Sequence, residues 1–298
     1  MNQSRWRIGT VACFAAIIVA AGCRSKQQTA LDYAALTHAC QLGQFGVAKS
    51  LLNHNPDLAT FKDEKGGTAL FEAVKGGNED IVTLLIADHA DIHAQDNLGH
   101  TALHFAAASG HKEVAAILLA DHLAVNAKDK GGETPLMEAA NRDHGDVAAM
   151  LIAHGADVNA KRDDGLNALC LTAMNPSNKT AIILLNANAD PRLPLKGGLT
   201  LLHWAFIHSN PDLAKALLAH GADVNAATTL RRPPVLVGGE TPLHFAAKFG
   251  RIEFAKLLVE YHVNVNAVDR NGETPFQLAK KNNDAPELAN YLRSHGGH

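Results

Sequence analysis

From residue 31 onward, apolar positions fall into short blocks that recur along the chain. Thr101-Ala102-Leu103-His104-Phe105-Ala106-Ala107 places small and apolar side chains at helical spacing. Gly110 follows, and a second block carries Val114, Leu118 and Leu119. A polar run rich in Asp, Asn and Gly then leads to the next Thr. The pattern predicts two short helices and an extended hairpin, repeated. Thr opens the first helix, where its hydroxyl caps exposed backbone N–H groups. Pro after it, as at Pro242 and Pro275, has φ already set for a first helical turn. Gly77, Gly110 and Gly250 end first helices where φ must be positive. The second helix needs another left-handed residue at its end, and Asn55, His89, His122, Gly155, Asn188, Gly221 and His262 hold that slot. Asn and His are the non-Gly types enriched at positive φ, so these His residues need no ligand to explain them.

The blocks keep phase. Thr68, Thr101, Thr134, Thr200, Thr241 and Thr274 mark the period, with Asn167 in the remaining slot. Each step is 33 residues except the 41 from Thr200 to Thr241. This resembles the ankyrin repeat, whose signature is that period with Thr-Pro-Leu-His-x-Ala. Thr241-Pro242-Leu243-His244-Phe245-Ala246 carries it in full. The resemblance covers residues 31–298 and implies an all-α repeat solenoid of about eight stacked copies, each a helix-turn-helix plus a β-hairpin loop. The copies run about 34–66, 67–98, 99–131, 132–164, 165–197, 198–238, 239–271 and 272–298. No helix pair buries its apolar face alone, so neighbours share one core with polar caps at the ends. Ala34-Ala35-Leu36-Thr37-His38-Ala39-Cys40 fits a first, capping copy, and the polar Lys280-Lys281-Asn282-Asn283-Asp284 fits the last.

Two copies depart from the pattern. The fifth has Pro176 where positive φ is wanted, which Pro cannot supply. It also has Pro191 in the usual Val slot and Pro194 beyond, so its first helix must end differently and its hairpin is expected to be irregular. The sixth is eight residues too long, with the excess inside 227–238. Insertions in stacked repeats go to loops on one face, often the binding face.

The chain begins differently. Arg5 and Arg7 precede an uncharged stretch of 15 residues from Ile8 to Gly22. A spanning helix needs about 20, so residues 1–22 read as a secretory signal peptide. Val19-Ala20-Ala21-Gly22-Cys23 resembles the lipobox of bacterial lipoproteins, with Ala20 in place of the favoured Leu. The resemblance implies cleavage before Cys23, a diacylglycerol on its sulfur, and a polar tether over 23–30. Arg24 follows, and the absence of Asp there implies the outer membrane if the cell has one. Ordinary cleavage near Ala21, giving a free periplasmic or secreted protein, and an uncleaved anchor are the alternatives. The expected location is the bacterial cell envelope, facing the periplasm or the surface.

Charge and chemistry narrow the function. Lys plus Arg is 27 against 30 for Asp plus Glu. No cationic excess is available to neutralise phosphates, so nucleic acid is not the expected partner. Four Cys are too few for a disulfide scaffold, and Cys40 and Cys170 read as small core residues. Phosphate loops, nucleophile elbows, His-Glu-x-x-His helices and paired Cys motifs are missing from the sequence. Most of the 17 His fall on repeat slots. His104, His203 and His244 take the signature position and are expected to bond backbone. His100 with His104, and His295 with His298, have no third ligand in sequence reach. No metal or cofactor is expected.

The reading is a non-enzymatic protein-interaction scaffold tethered in the envelope. Its alternatives are an inhibitor or immunity protein that sequesters an envelope toxin or hydrolase, a structural spacer, and an unrecognised enzyme. In ankyrin proteins partners sit on the concave face made by hairpin tips and first helices. The apolar residues at such positions gather in copies five to seven beside the insertion. The expected partner site is therefore Leu166, Met174, Leu199, Ile207 and Phe249 with Leu230, Arg231, Arg232, Val235 and Leu236 of the insertion. Phe105, Trp204 and Phe245 share one first-helix slot and are expected in the core between copies.

Overall fold

The computed structural model describes residues 26–120, 123–175, 177–229, 238–282 and 286–298. Among them sixteen α-helices form eight consecutive pairs. These are α1 (Lys26–Gln41) and α2 (Phe45–His54), α3 (Ala69–Lys75) and α4 (Glu79–Ala87), α5 (Ala102–Ser109) and α6 (Lys112–Ala120). Then come α7 (Pro135–Asn141) and α8 (Gly145–Ala153), α9 (Ala168–Leu171) and α10 (Lys179–Asn186), α11 (Leu201–Ile207) and α12 (Pro211–Ala219). The last are α13 (Pro242–Lys248) and α14 (Ile252–Glu260), α15 (Pro275–Lys281) and α16 (Pro286–Ser294).

The chain divides into two compact units, Met1–Pro135 and Leu136–His298. Within unit one, α1 packs on α3 and α3 on α5. Within unit two, α8 packs on α10, α10 on α12, α11 on α13 and α13 on α15. Copies adjacent in sequence are adjacent in space in each unit, so the all-helical repeat fold is the one observed. Fully buried Ala69, Ala73, Ala102 and Ala106 let first helices approach closely, while Leu70, Leu103, Leu202 and Leu243 fill the core.

The helix ends follow the residue types. Thr68 is extended, and its side chain accepts the Phe71 N–H at 3.2 Å. Gly77, Gly110 and Gly250 have φ of 70°, 75° and 66°. In the second-helix slot, His89, Gly155, Asn188, Gly221 and His262 all have positive φ. Asn55 does not: its φ is −146°, and a 3₁₀ turn, Pro56–Ala59, follows. The residue before a proline is pushed into the extended region, and Pro56 overrides the left-handed preference of the slot. His122 lies outside the described residues.

Copy five ends its first helix early, as Pro176 requires. α9 has four residues and passes into a 3₁₀ turn, Thr172–Met174, closed by an extended Asn175. Pro191 leaves its turn intact. Asp190 accepts the Arg192 N–H at 3.1 Å, as Asp157 accepts that of Asn159 and Asp223 that of Asn225, both at 2.9 Å. The residue between donates nothing there, so proline is tolerated. The irregularity falls instead at Lys196–Gly198, a 3₁₀ turn with Gly197 at φ 86°.

The hairpins contain no β-strand among the described residues. Each finger closes on too few bonds to build a ladder. The polar stretch 26–30, expected as tether, belongs to α1. No described helix is long and apolar enough to cross a membrane.

Candidate functional site

Each finger is built around one residue. Asp96 donates its N–H to the His100 carbonyl at 3.0 Å and accepts the Gly99 N–H at 2.9 Å. Its carboxylate takes the N–H groups of Leu98 and His100 at 2.8 and 2.9 Å. Asp63, Asp129 and Asp269 do the same in their copies. Neighbouring tips are joined by one backbone bond, Asn97 N–H to Lys65 C=O at 2.9 Å and Lys130 N–H to Leu98 C=O at 2.8 Å.

The insertion leaves this frame undisturbed. Thr228 takes the Asp slot, donating to the Glu240 carbonyl at 3.0 Å and accepting from Gly239 at 2.7 Å. Its hydroxyl replaces the carboxylate and accepts the Glu240 N–H at 3.1 Å. Thr229 donates to Gly197 C=O at 2.9 Å, and Gly238 C=O accepts from Arg270 at 3.0 Å. The five residues 228, 229, 238, 239 and 240 therefore reproduce 96–100, and residues 230–237 are the surplus. The flanking residues Thr229 and Gly238 stand at a fingertip. Leu230, Arg231, Arg232, Val235 and Leu236 lie outside the described residues.

The first helices carry the other expected contacts. Phe249 is 42% exposed at the end of α13. Leu166, Leu199 and Ile207 are half-buried. The Met174 side chain lies outside the described set. Unit two thus holds every described candidate, and α11 and α13 bring Ile207 and Phe249 onto adjacent helices. Trp204 is half-buried and stacks on the exposed His208, with centroids 4.7 Å apart. Phe245, in the Trp204 slot, is buried and touches His203 at 5.1 Å and Phe249 at 6.1 Å. Phe105, in the same slot, is half-buried between Phe71 at 5.0 Å and the Lys75 ammonium at 4.3 Å. The slot is core in copy seven and half-exposed surface in copies three and six.

The signature histidines tie copies together. His203 Nδ1 accepts the Thr200 N–H at 3.1 Å, and Nε2 donates to the Glu240 carbonyl of the next finger at 3.2 Å. His104 reaches Glu133 C=O and His244 reaches Glu273 C=O in the same way. Both ring nitrogens are engaged with the ring neutral. Burial pushes the His203 pKa down to about 4, against the upward pull of its carbonyl partner, and lowers those of His104 and His244. These rings are structural.

Copy five lacks both ties to copy six. Its signature position is Cys170, which has no ring to reach the next finger. The paired Asn167 caps α9 by accepting the Cys170 N–H at 3.0 Å, and its fully buried Nδ2 has no hydrogen-bond partner. The second tie is an asparagine after the second helix. Asn159 Nδ2 donates to Asn188 C=O at 3.1 Å, and Oδ1 accepts the Asp190 N–H at 2.8 Å. Asn225 and Asn266 make matching bonds to Asn264 and to Gly296 and His298. In copy five the slot is Arg192, which turns back on Asp190 at 2.8 Å. An open cleft of about 600 Å³ results, bordered by Lys161, Asp190, Arg192 and His220. Sequence reading missed this cleft, although Arg192 standing among Asn159, Asn225 and Asn266 marks it.

Among the described residues no group of three or more His, Cys, Asp or Glu is placed to hold a metal ion. His100 bonds Asp96 at 2.9 Å and Asp129 at 3.3 Å, one through each ring nitrogen. Cys40 and Cys170 are buried and unbridged.

Comparison with protein families matches nearly the whole chain. The family described as ankyrin repeats (3 copies) matches residues 7–96, 85–162 and 160–228. The family described as ankyrin repeats (many copies) matches 202–259 and 243–293. No curated protein matches the chain.

Proposed function

Because the chain belongs to the ankyrin-repeat family, whose stacks serve as protein-interaction scaffolds, we propose that it is a non-enzymatic scaffold held in the bacterial envelope by a lipid on Cys23. Its partner is another envelope protein. The binding surface is the first-helix side of copies five to seven, with Leu166, Met174, Leu199, Ile207 and Phe249, completed by residues 230–237.

The observation that carries this reading is where the surplus begins and ends. Thr228 and Gly239 close a normal fingertip without residues 230–237, so that frame does not need them. The neighbouring first helices offer exposed Phe249 and half-buried Trp204 and Ile207. Aromatic side chains are enriched in interface cores. The histidine and asparagine ties are both missing between copies five and six.

The experiment is a pull-down from detergent-solubilised envelopes with the full-length protein as bait. Wild type recovers a stoichiometric partner. L199E/I207E and deletion of 230–237 lose it while circular dichroism stays unchanged. Undiminished recovery by both folded variants places the site elsewhere, and no stoichiometric protein with wild type favours a spacer. Mass spectrometry of the mature N-terminus checks the lipid.

A further inference from the structure

The outer side of α1 belongs to none of the surfaces above. Gln27, Leu31, Ala34, His38 and Leu42 recur three or four apart along it, and all are exposed. Leu31 is 60% and Leu42 57% exposed. The opposite side holds Tyr33, Leu36, Ala39 and Cys40, all buried. Just past α1, Phe45 and Val47 are 40% and 44% exposed. In copies two and three the Val47 position is Ile81 and Val114, both buried where the preceding second helix packs.

A terminal copy of a repeat array ordinarily turns a polar face outward. Here the outward stripe carries no acidic residue. Asp32 sits on its flank and accepts a hydrogen bond from Gln28 at 2.8 Å. The Lys49 ammonium lies over the Phe45 ring at 5.8 Å. Leu31, Leu42, Phe45 and Val47 thus leave apolar area uncovered on this side.

The length of chain before α1 says what the cover is. Cys23 precedes Lys26 by three residues, which span at most about 11 Å. A lipid on Cys23 therefore holds the start of α1 within that distance of the headgroups. We propose that the outer side of α1, with Leu31 and Leu42 and the adjoining Phe45 and Val47, lies on the bilayer surface as a second membrane contact beside the lipid. The proposal rests on the lipid-anchor reading above. The apolar side chains enter the boundary between headgroups and acyl chains, and Lys49 and His38 meet lipid phosphates. Copies two and three then step away from the membrane. Two modest contacts make an anchor that one alone leaves reversible.

The test reconstitutes the full-length lipoprotein into vesicles of phosphatidylethanolamine and phosphatidylglycerol with brominated acyl chains. One form carries W6F, W204F and F45W, and a control carries W6F alone, leaving Trp204. The F45W indole is expected to be quenched well beyond the W6F control. Adding L31E/L42E abolishes the quenching and weakens vesicle binding of the unacylated C23S protein about a hundredfold. An unquenched F45W indole, in protein whose Cys23 acylation mass spectrometry verifies, overturns the proposal. Should Cys23 carry no lipid, the anchor reading alone has failed, and the C23S protein decides. Quenching that L31E/L42E removes upholds the surface, and its absence refutes it.

Discussion

Replacing His203 by Gln isolates one cost of acid. His203 is fully buried and neutral, with its pKa down at about 4 against about 6.5 in an unfolded chain. Between those values the unfolded chain binds a proton that the fold refuses. Stability contributed by the neutral ring is complete above pH 6.5 and falls as pH drops toward 4. The gap corresponds to about 3 kcal/mol. Gln is the substitution of choice because copy eight already uses it. Thr274 donates its N–H to Gln277 Oε1 at 2.9 Å and accepts the Gln277 N–H at 3.3 Å, a reciprocal cap without a titrating group. Urea unfolding followed by Trp204, one residue along α11, reads the affected copy. H203Q costs some stability at neutral pH through the lost bond to Glu240 C=O, so the comparison is of pH dependence. From pH 7 to pH 4 the wild type should lose about 3 kcal/mol more than H203Q. Parallel losses refute the assignment of a neutral buried ring.

Three further outcomes follow from the geometry. R192N restores the missing rung to copy six, and should gain about 1 kcal/mol and slow hydrogen exchange at the Asp223 amide; unchanged exchange there contradicts the cleft's origin. G66A should cost about 2 kcal/mol in unit one, since left-handed backbone disfavours a side chain and a Cβ there meets the Asp96 Cα at 3.0 Å. The check is the urea midpoint of that variant. Burial, with Glu72 adding, pushes the Cys40 thiol up to about 12, and burial raises that of Cys170. Ellman's reagent should modify neither in the native protein and both on unfolding.

The helix pairs were legible because each boundary has a local chemical cause. Thr and Asn caps, left-handed Gly and His, and paired Ala recur in phase, and the structure uses them as expected. Pro176 correctly marked a first helix that ends differently. Local interference explains the misses. Pro56 acts on the residue before it, so Asn55 left its slot. Pro191 does no harm because its position donates no hydrogen bond. The cleft beside Arg192 arises from an absent rung between loops, a contact 31 residues away in the copy that has it. The partner surface is legible only as a gathering of apolar types. Shared slots do not fix exposure, as buried Phe245 and half-exposed Trp204 demonstrate.

Recognition by copies five to seven is tested most directly by hydrogen exchange on the purified complex with its captured partner. New protection is expected at 166, 199–207, 245–250 and across 228–240, with the outer sides of the second helices unchanged. Protection confined to the second helices, or spread evenly over all copies, contradicts it.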